Sequence, residues 1–467
     1  MNDRKTQLQQ LFKQGAELLQ DGKADQALSI FQRAQEIDPS NSTITLYTGA
    51  ALHELKRFDE AVACYEKAIR ITPLMGEAHN NLGNSLIALG RFSDAAESFS
   101  KAAALLPLSP VPLATRATAL QAMGQITEAE SDCRQALKTD PTFPAAHWNL
   151  ALNQLLQGNY HEGWQEYEWR WCKPDFTSPL RHNDIPLWDG SPLHGLTILL
   201  HAEQGFGDAI QFVRYAPLVA GYGGNILLEC HPELVELFQN IKEITSVVPF
   251  GDRLPKIDYQ APLLSLPRIL GTTLENIPAC SSLVASAKSL AYWEPLISCY
   301  RGHRVGIVWS GSSIHRNDSF RSLPLTFFSS LGNHSLAGIA LFSLQMGDAK
   351  HQLALSPLAE RVIDLTEQIH SFADTAALIE QLDLIICIDT AVAHLAGTLG
   401  KPVWLLLPFA PDWRWLLNRS SSPWYPTMRI FRQKQLGDWS SVIKQVHSAL
   451  SDLQRKNEKS FEAAPKD

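Results

Sequence analysis

The chain has 467 residues, enough for about three domains of ordinary size; 45% are apolar, 19% are charged, and the net charge is -8. That balance, with no long basic run, argues against a dedicated nucleic-acid or anionic-membrane binder. No apolar run is long enough to span a bilayer, and the polar start lacks the apolar core of a signal peptide. The 7 cysteines are odd in number and form no C-x-x-C pair, so neither structural zinc nor a disulfide framework is expected, and the chain reads as cytoplasmic.

The first third is a repeat. Pro39, Pro73, Pro107 and Pro141 recur every 34 residues, as do Ala27, Ala61, Ala95 and Ala129, and Ala34, Ala68, Ala102 and Ala136. Gly15, Gly49 and Gly83 share one position, where the fourth unit has Ala117; Phe31, Tyr65 and Phe99 share another, where it has Cys133. This is the tetratricopeptide signature. Small residues let paired helices approach, the aromatic fills the gap, and proline ends the second helix. Frames 8–41, 42–75, 76–109 and 110–143 stack into an α-solenoid, because no single unit buries its own apolar face. A degenerate fifth unit begins near Pro144 and closes in the aromatic-rich stretch Tyr160 to Trp171, which reads as a capping helix docking the solenoid on the next domain. The solenoid is assigned to 1–172. Its groove is expected to hold a protein or peptide partner; Asn80, Asn81 and Asn84 either clamp a peptide backbone or are solvated polar positions.

Residues 173–195 carry Pro174, Pro179, Pro186 and Pro192 with Gly190 and Gly195, a density of breakers that marks a linker. A first α/β lobe follows over 196–300. Thr197 to His201 reads as a buried strand, then comes the turn Gly205-Phe206-Gly207-Asp208, then a helix. The turn lacks the third glycine of a dinucleotide fingerprint and the Gly-Lys-Ser/Thr of a phosphate loop, which disfavours an NAD-linked oxidoreductase. Gly205 and Gly207 allow a ligand to approach the backbone, and Asp208 is either a helix-start residue or a general base in a cleft. Further strands are expected at 225–230, 245–249 and 258–264, and a helix at 286–300.

The second lobe, 301–454, alternates strands at 304–311, 338–344, 362–365, 384–388, 403–407 and 428–431 with helices, the pattern of a parallel Rossmann-like sheet. After its first strand, Ser310 and Gly311 lead into a loop holding Arg316 and Arg321. Backbone N–H groups and guanidinium forks of this kind suit a pyrophosphate. Leu384 to Ile388, Asp389-Thr390, an apolar helix from Ala391 and the strand from Val403 form a βαβ unit. Ligands bind outside the carboxyl ends of such strands, so Asp389, Thr390 and His394 either touch a ligand or are a helix cap and a packing histidine. A final helix over 438–454 precedes a tail, 455–467, read as disordered.

Residues 197–433 resemble glycosyltransferase family 9, the heptosyltransferase-like enzymes of GT-B architecture, appended to tetratricopeptide repeats. The resemblance rests on Gly205-Phe206-Gly207-Asp208, Val305 to Gly311, Arg316 to Pro324, and Asp389 to Ala396. It implies two facing Rossmann-like lobes and an inverting, metal-independent transfer from a nucleotide-diphosphate sugar, with no other cofactor. Asp208 would be the base on the acceptor hydroxyl. Asp389, Thr390 and His394 would hold donor phosphates and sugar, and Arg321 the pyrophosphate, with Ser310 and Gly311 nearby. Ala391 departs from the glycine usual after Asp-Thr, which leaves the donor open. The short first lobe and the repeats hint at a protein acceptor, by analogy with repeat-bearing protein O-GlcNAc transferases. A non-catalytic scaffold with a degenerate transferase domain is the alternative.

Overall fold

The computed structural model describes residues 2–280, 283–314, 317–332 and 338–462. The chain divides into two compact units, Met1–Gln154 and Leu155–Asp467.

The first unit is an α-solenoid of helices α1 (Asn2–Gln20), α2 (Ala24–Ile37), α3 (Ser42–Glu54), α4 (Phe58–Ile71), α5 (Gly76–Ala88), α6 (Phe92–Leu105), α7 (Val111–Ala122), α8 (Ile126–Thr139) and the start of α9 (Pro144–Gln157). The repeated alanines are all fully buried. The Gly–aromatic pairing is literal: a Cβ at Gly15, Gly49 or Gly83 would meet the ring of Phe31, Tyr65 or Phe99 at 2.5, 2.7 and 2.5 Å. The ring of the second helix therefore occupies the side-chain space of the first. In the fourth unit the smaller Cys133, also fully buried, leaves room for Ala117.

The unit boundary falls inside α9, ahead of the aromatic stretch that the sequence assigned to the solenoid. α10 (Tyr160–Tyr167) belongs to the second unit because its rings are buried there. Trp164 packs edge-on against Trp413, Trp424 and Phe212 at 5.1, 6.4 and 6.2 Å, and Trp424 Nε1 donates to Tyr160 Oη at 3.0 Å. Burying large aromatic rings outweighs sequence adjacency to the repeats.

The second unit holds two parallel sheets, the two Rossmann-like lobes of a GT-B-type α/β fold. The first lobe contains β1 (Thr197–His201), α11 (Phe206–Phe212), α12 (Ala216–Ala220), β2 (Asn225–Cys230), α13 (Val235–Phe238), β3 (Ser246–Pro249), β4 (Tyr259–Pro262) and α14 (Leu266–Ile269), with sheet order β3-β2-β1-β4. Helix α15 (Ala287–Ser298) leads to the second lobe: β5 (His303–Val308), α16 (Asp318–Arg321), β6 (Ile339–Ser343), β7 (Val362–Asp364), α17 (Phe372–Glu380), β8 (Leu384–Ile388), α18 (Ala391–Thr398), β9 (Val403–Leu407), β10 (Met428–Arg432) and α19 (Trp439–Glu462). Its order is β10-β9-β8-β5-β6-β7. The central β8 and β9 are buried along their whole length, as the continuous apolar runs require. Helix α19 runs to Glu462, so 455–462, expected as disordered tail, are helical: Gln454-Arg455-Lys456 and Glu458-Lys459 are good helix formers with no breaker among them. The rest of that tail and Arg316 lie outside the described residues.

Candidate active site

The turn after β1 places Asp208 in the first turn of α11, where the Gly205 N–H donates to Asp208 Oδ2 at 3.0 Å. Its other oxygen accepts from Arg414 of the second lobe. Arg414 is buried, donates to Gln211 Oε1 at 2.5 Å and Asp412 Oδ1 at 2.9 Å, and lies 4.4 Å over the Trp413 ring. Burial opposes its charge, but Asp412 and Asp208 outweigh burial and hold its pKa above the ordinary arginine value.

Asp389 follows β8. Its Oδ2 accepts from Trp415 Nε1 at 2.8 Å, and its backbone oxygen accepts from Arg321 Nη1 at 2.9 Å. Burial, and then the charge of Asp412, push its carboxyl up to about 6 against the Trp415 hydrogen bond and the Arg321 and Arg414 charges. Thr390 is the residue preceding α18 but makes no side-chain cap, and its buried Oγ1 has no partner among the described residues. Neither Asp389 nor Thr390 is therefore a simple side-chain cap. His394 Nδ1 pairs with Tyr425 Oη at 2.9 Å, and its ring stacks on Trp415 at 5.4 Å with 27° between planes. Its Nε2 lies 3.8 Å from Asp389 Oδ1. Burial first, then Arg414, Arg214 and Arg321, push its pKa well below the ordinary value, so the imidazole is neutral.

The loop after β5 differs from its expected role. Gln345 Oε1 accepts from the N–H groups of Trp309 and Ser310 at 3.0 and 2.8 Å, and Ser322 Oγ accepts from the Gly311 N–H at 2.8 Å. These backbone donors, read as pyrophosphate ligands, are already satisfied within the lobe. Among the described residues of the loop, Arg321 is the cation at the site, and its Nε donates to Asp318 Oδ1 at 3.2 Å. A Cβ at Gly311 would fall 2.6 Å from Arg321 Nη2, so the glycine makes room for the guanidinium.

The two lobes' motifs abut. A Cβ at Gly207 would lie 2.9 Å from His394 Cδ2 and 3.5 Å from the Cα of Ala391. Gly207, Asp208, Asp389, His394 and Arg321 are thus joined through Arg414 and Trp415, while Ser310 attaches only through Gln345 and Ser322. The sequence reading missed Asp412, Arg414, Trp415 and Tyr425. The available signal was position: Asp412-Trp413-Arg414-Trp415 follows β9 at its carboxyl end, the side where ligands bind in such sheets.

Comparison with known proteins finds matches in both units. Residues 365–406 match the sequence model of glycosyltransferase family 9 (heptosyltransferase), and tetratricopeptide-repeat models match 49–90, 76–109 and 115–168. The chain is similar to Protein FlbA of Caulobacter vibrioides (strain ATCC 19089 / CIP 103742 / CB 15), 27% identical over 357 residues, 69% of this chain and 58% of that protein. It thus spans less than two thirds of that relative's length. Among solved structures, the thermophilic TPR protein TTC0263 of Thermus thermophilus is 21% identical over 34% of this chain and 88% of its own, with TM-score 0.32. Pseudomonas aeruginosa pilF is 20% identical over 36% of this chain and 76% of its own, with TM-score 0.34. In sequence the chain thus carries tetratricopeptide repeats, a fold with the capacity for protein interaction, and over 365–406 a stretch similar to glycosyltransferase family 9.

Proposed function

We propose that this tetratricopeptide-repeat chain with a family 9 domain is an inverting glycosyltransferase. It moves a sugar from a nucleotide-diphosphate donor to an acceptor hydroxyl, without a metal ion, on an acceptor protein recruited by the repeat groove. The observation that carries the reading is the meeting of the Asp208 turn with the Asp389–His394 motif, Gly207 against His394 and Arg414 on Asp208. In the reaction, Asp208 takes the proton of the acceptor hydroxyl as its oxygen bonds to the anomeric carbon. The bond from that carbon to the diphosphate breaks with its electrons on the phosphate oxygen. Arg321 and the backbone N–H groups at the start of α18 stabilise the departing charge, with Thr390 Oγ1 supplying a free hydroxyl.

One observation favours the scaffold alternative: both Asp208 oxygens are already engaged, by Gly205 and Arg414. Each carboxylate oxygen has two lone pairs, so each keeps an acceptor position for the acceptor hydroxyl. A thermal-shift panel with UDP, GDP, ADP and their sugar conjugates tests the donor site. Ligand at about a hundred times its dissociation constant adds about 2.7 kcal/mol of stability. No shift with any of them supports the scaffold. Given a donor, Asp208→Asn is expected to lower transfer by at least about a hundredfold while leaving the nucleotide shift in place; transfer at a near-normal rate would remove Asp208 as base.

A further inference from the structure

The first lobe holds a cavity of about 510 Å³, none of whose lining residues belongs to the site above. It is lined by His201 and Pro262, the last residues of β1 and β4, which are register partners. The chain leaves β1 for β2 on one side, while β4 pairs on the other, so the cavity sits at the point where the strand order reverses. Parallel α/β sheets bind ligands there.

The chemistry of the floor is specific. His201 is 1% exposed, and its Nε2 lies 2.9 Å from Gln260 Oε1, which accepts. Nδ1 is buried with no partner among the described residues. Burial pushes the imidazole pKa down to about 3, so Nδ1 carries a lone pair rather than a proton. A buried acceptor of this kind is costly to leave unmade, and because His201 lines the cavity, a donor placed there is the nearest way to satisfy it. The walls are apolar: Trp171 and Pro186, with Leu180 and Leu187 at the rim, 53% and 45% exposed. Asn183 and Asp184, also lining, are exposed and offer further acceptors. Arg181, the lining cation, is committed to the Ala202 carbonyl at 2.7 Å and to Glu229 at 3.5 Å. An anionic ligand would meet Asp184 and Glu168, with the lining cation already engaged elsewhere. A flat aromatic without hydroxyls would leave Nδ1 unpaired. A sugar ring has both an apolar C–H face and several hydroxyl donors.

We propose that this cavity binds a neutral sugar in pyranose form, its apolar face against Trp171 and one hydroxyl donating to His201 Nδ1. The site is independent of the transfer reaction proposed above. The test is saturation-transfer difference NMR on the full chain with methyl α-D-glucopyranoside, methyl α-D-mannopyranoside and methyl β-D-galactopyranoside, with N-acetyl-phenylalaninamide as the hydroxyl-free aromatic comparison. At least one glycoside is expected to receive saturation, and His201→Phe and Trp171→Ala should each weaken it by about tenfold. Any nucleotide-induced thermal shift should be unchanged in both variants, which separates this site from the other. If His201→Phe fails to fold by circular dichroism, Trp171→Ala alone decides. No saturation of any glycoside, equal saturation in wild type and Trp171→Ala, or binding of the phenylalaninamide alone overturns the proposal.

Discussion

Asp208 and Arg414 stand 206 positions apart and meet between the lobes, so each depends on the other's lobe being folded. Arg414 is a buried cation shared by Asp208 and Asp412. Removing it leaves two carboxylates facing each other beside Asp389. Arg414→Gln is expected to destabilise the second unit by about 3 kcal/mol, the lower end for a broken buried pair because Asp412 is partly exposed. Urea denaturation measures this, and Arg414→Lys should restore part of the loss. The Trp415 indole acts on the same network by donating to Asp389. Trp415→Phe removes that donor, so the Asp389 carboxyl should titrate above its present value of about 6, as carboxyl NMR would show. Of these contacts the sequence made Asp208, Asp389 and His394 legible because each sits beside a strand end or a glycine turn. Arg414 and Trp415 carried only the weaker signal of lying beyond the end of β9: a Trp-Arg-Trp run reads equally well as core, and the approach of the other lobe adds Asp208 to the guanidinium's local partner Asp412.

At the scale of elements, the repeat alphabet translates directly into contacts. Phe99 fills the space above Gly83, so Phe99→Ala opens a cavity that the glycine cannot close; a loss of about 3–5 kcal/mol is expected in thermal or urea unfolding of the solenoid. Cys133→Ala, at the equivalent position of the fourth unit, removes far less volume and should cost correspondingly less. Strands were equally legible, since β1, β2, β8 and β9 begin and end where their apolar runs do. The boundary between units was not. The aromatic stretch from Tyr160 was expected to dock on the next domain, but it also continues the helical pattern of the repeats, and nothing local names its partners, Phe212, Trp413 and Trp424. Over 455–462 the expected disordered tail failed for the opposite reason: its terminal position suggested a loose coil, while its helix propensity extended α19.

For the molecule as a whole, buried neutral histidines set the acid limb of stability. His201 and His394 are held below their ordinary value chiefly by burial, and His231 and His303 are lowered by the same cause. The unfolded chain takes up these protons near pH 6.5, whereas the folded chain refuses them, His201 until about 3. Stability present above pH 6.5 is therefore lost as pH falls below it, by up to about 1.4 kcal/mol per pH unit for each fully refused proton. Asp389 works the other way: its raised carboxyl binds a proton in the fold first, adding stability as pH falls from about 6 towards 3.8. The histidines outnumber it, so the melting temperature should fall between pH 6.5 and pH 4, and the fall should be shallower in His201→Gln. Among the described residues no helix is long and apolar enough to cross a membrane, in keeping with the scattered apolar runs of the sequence. Periodicity and strand-end chemistry are local properties, written in spacings of a few residues, and the sequence alone determined them: the solenoid, the two parallel sheets, and the glycine and aspartate turns at their edges. Tertiary structure decided which carboxylate meets which guanidinium, which backbone donors remain available to a ligand, and which unit the aromatic helix joins. Those outcomes depend on surfaces brought together from more than a hundred residues apart, as Trp424 and Tyr160 are, and packing energy carries no local signature.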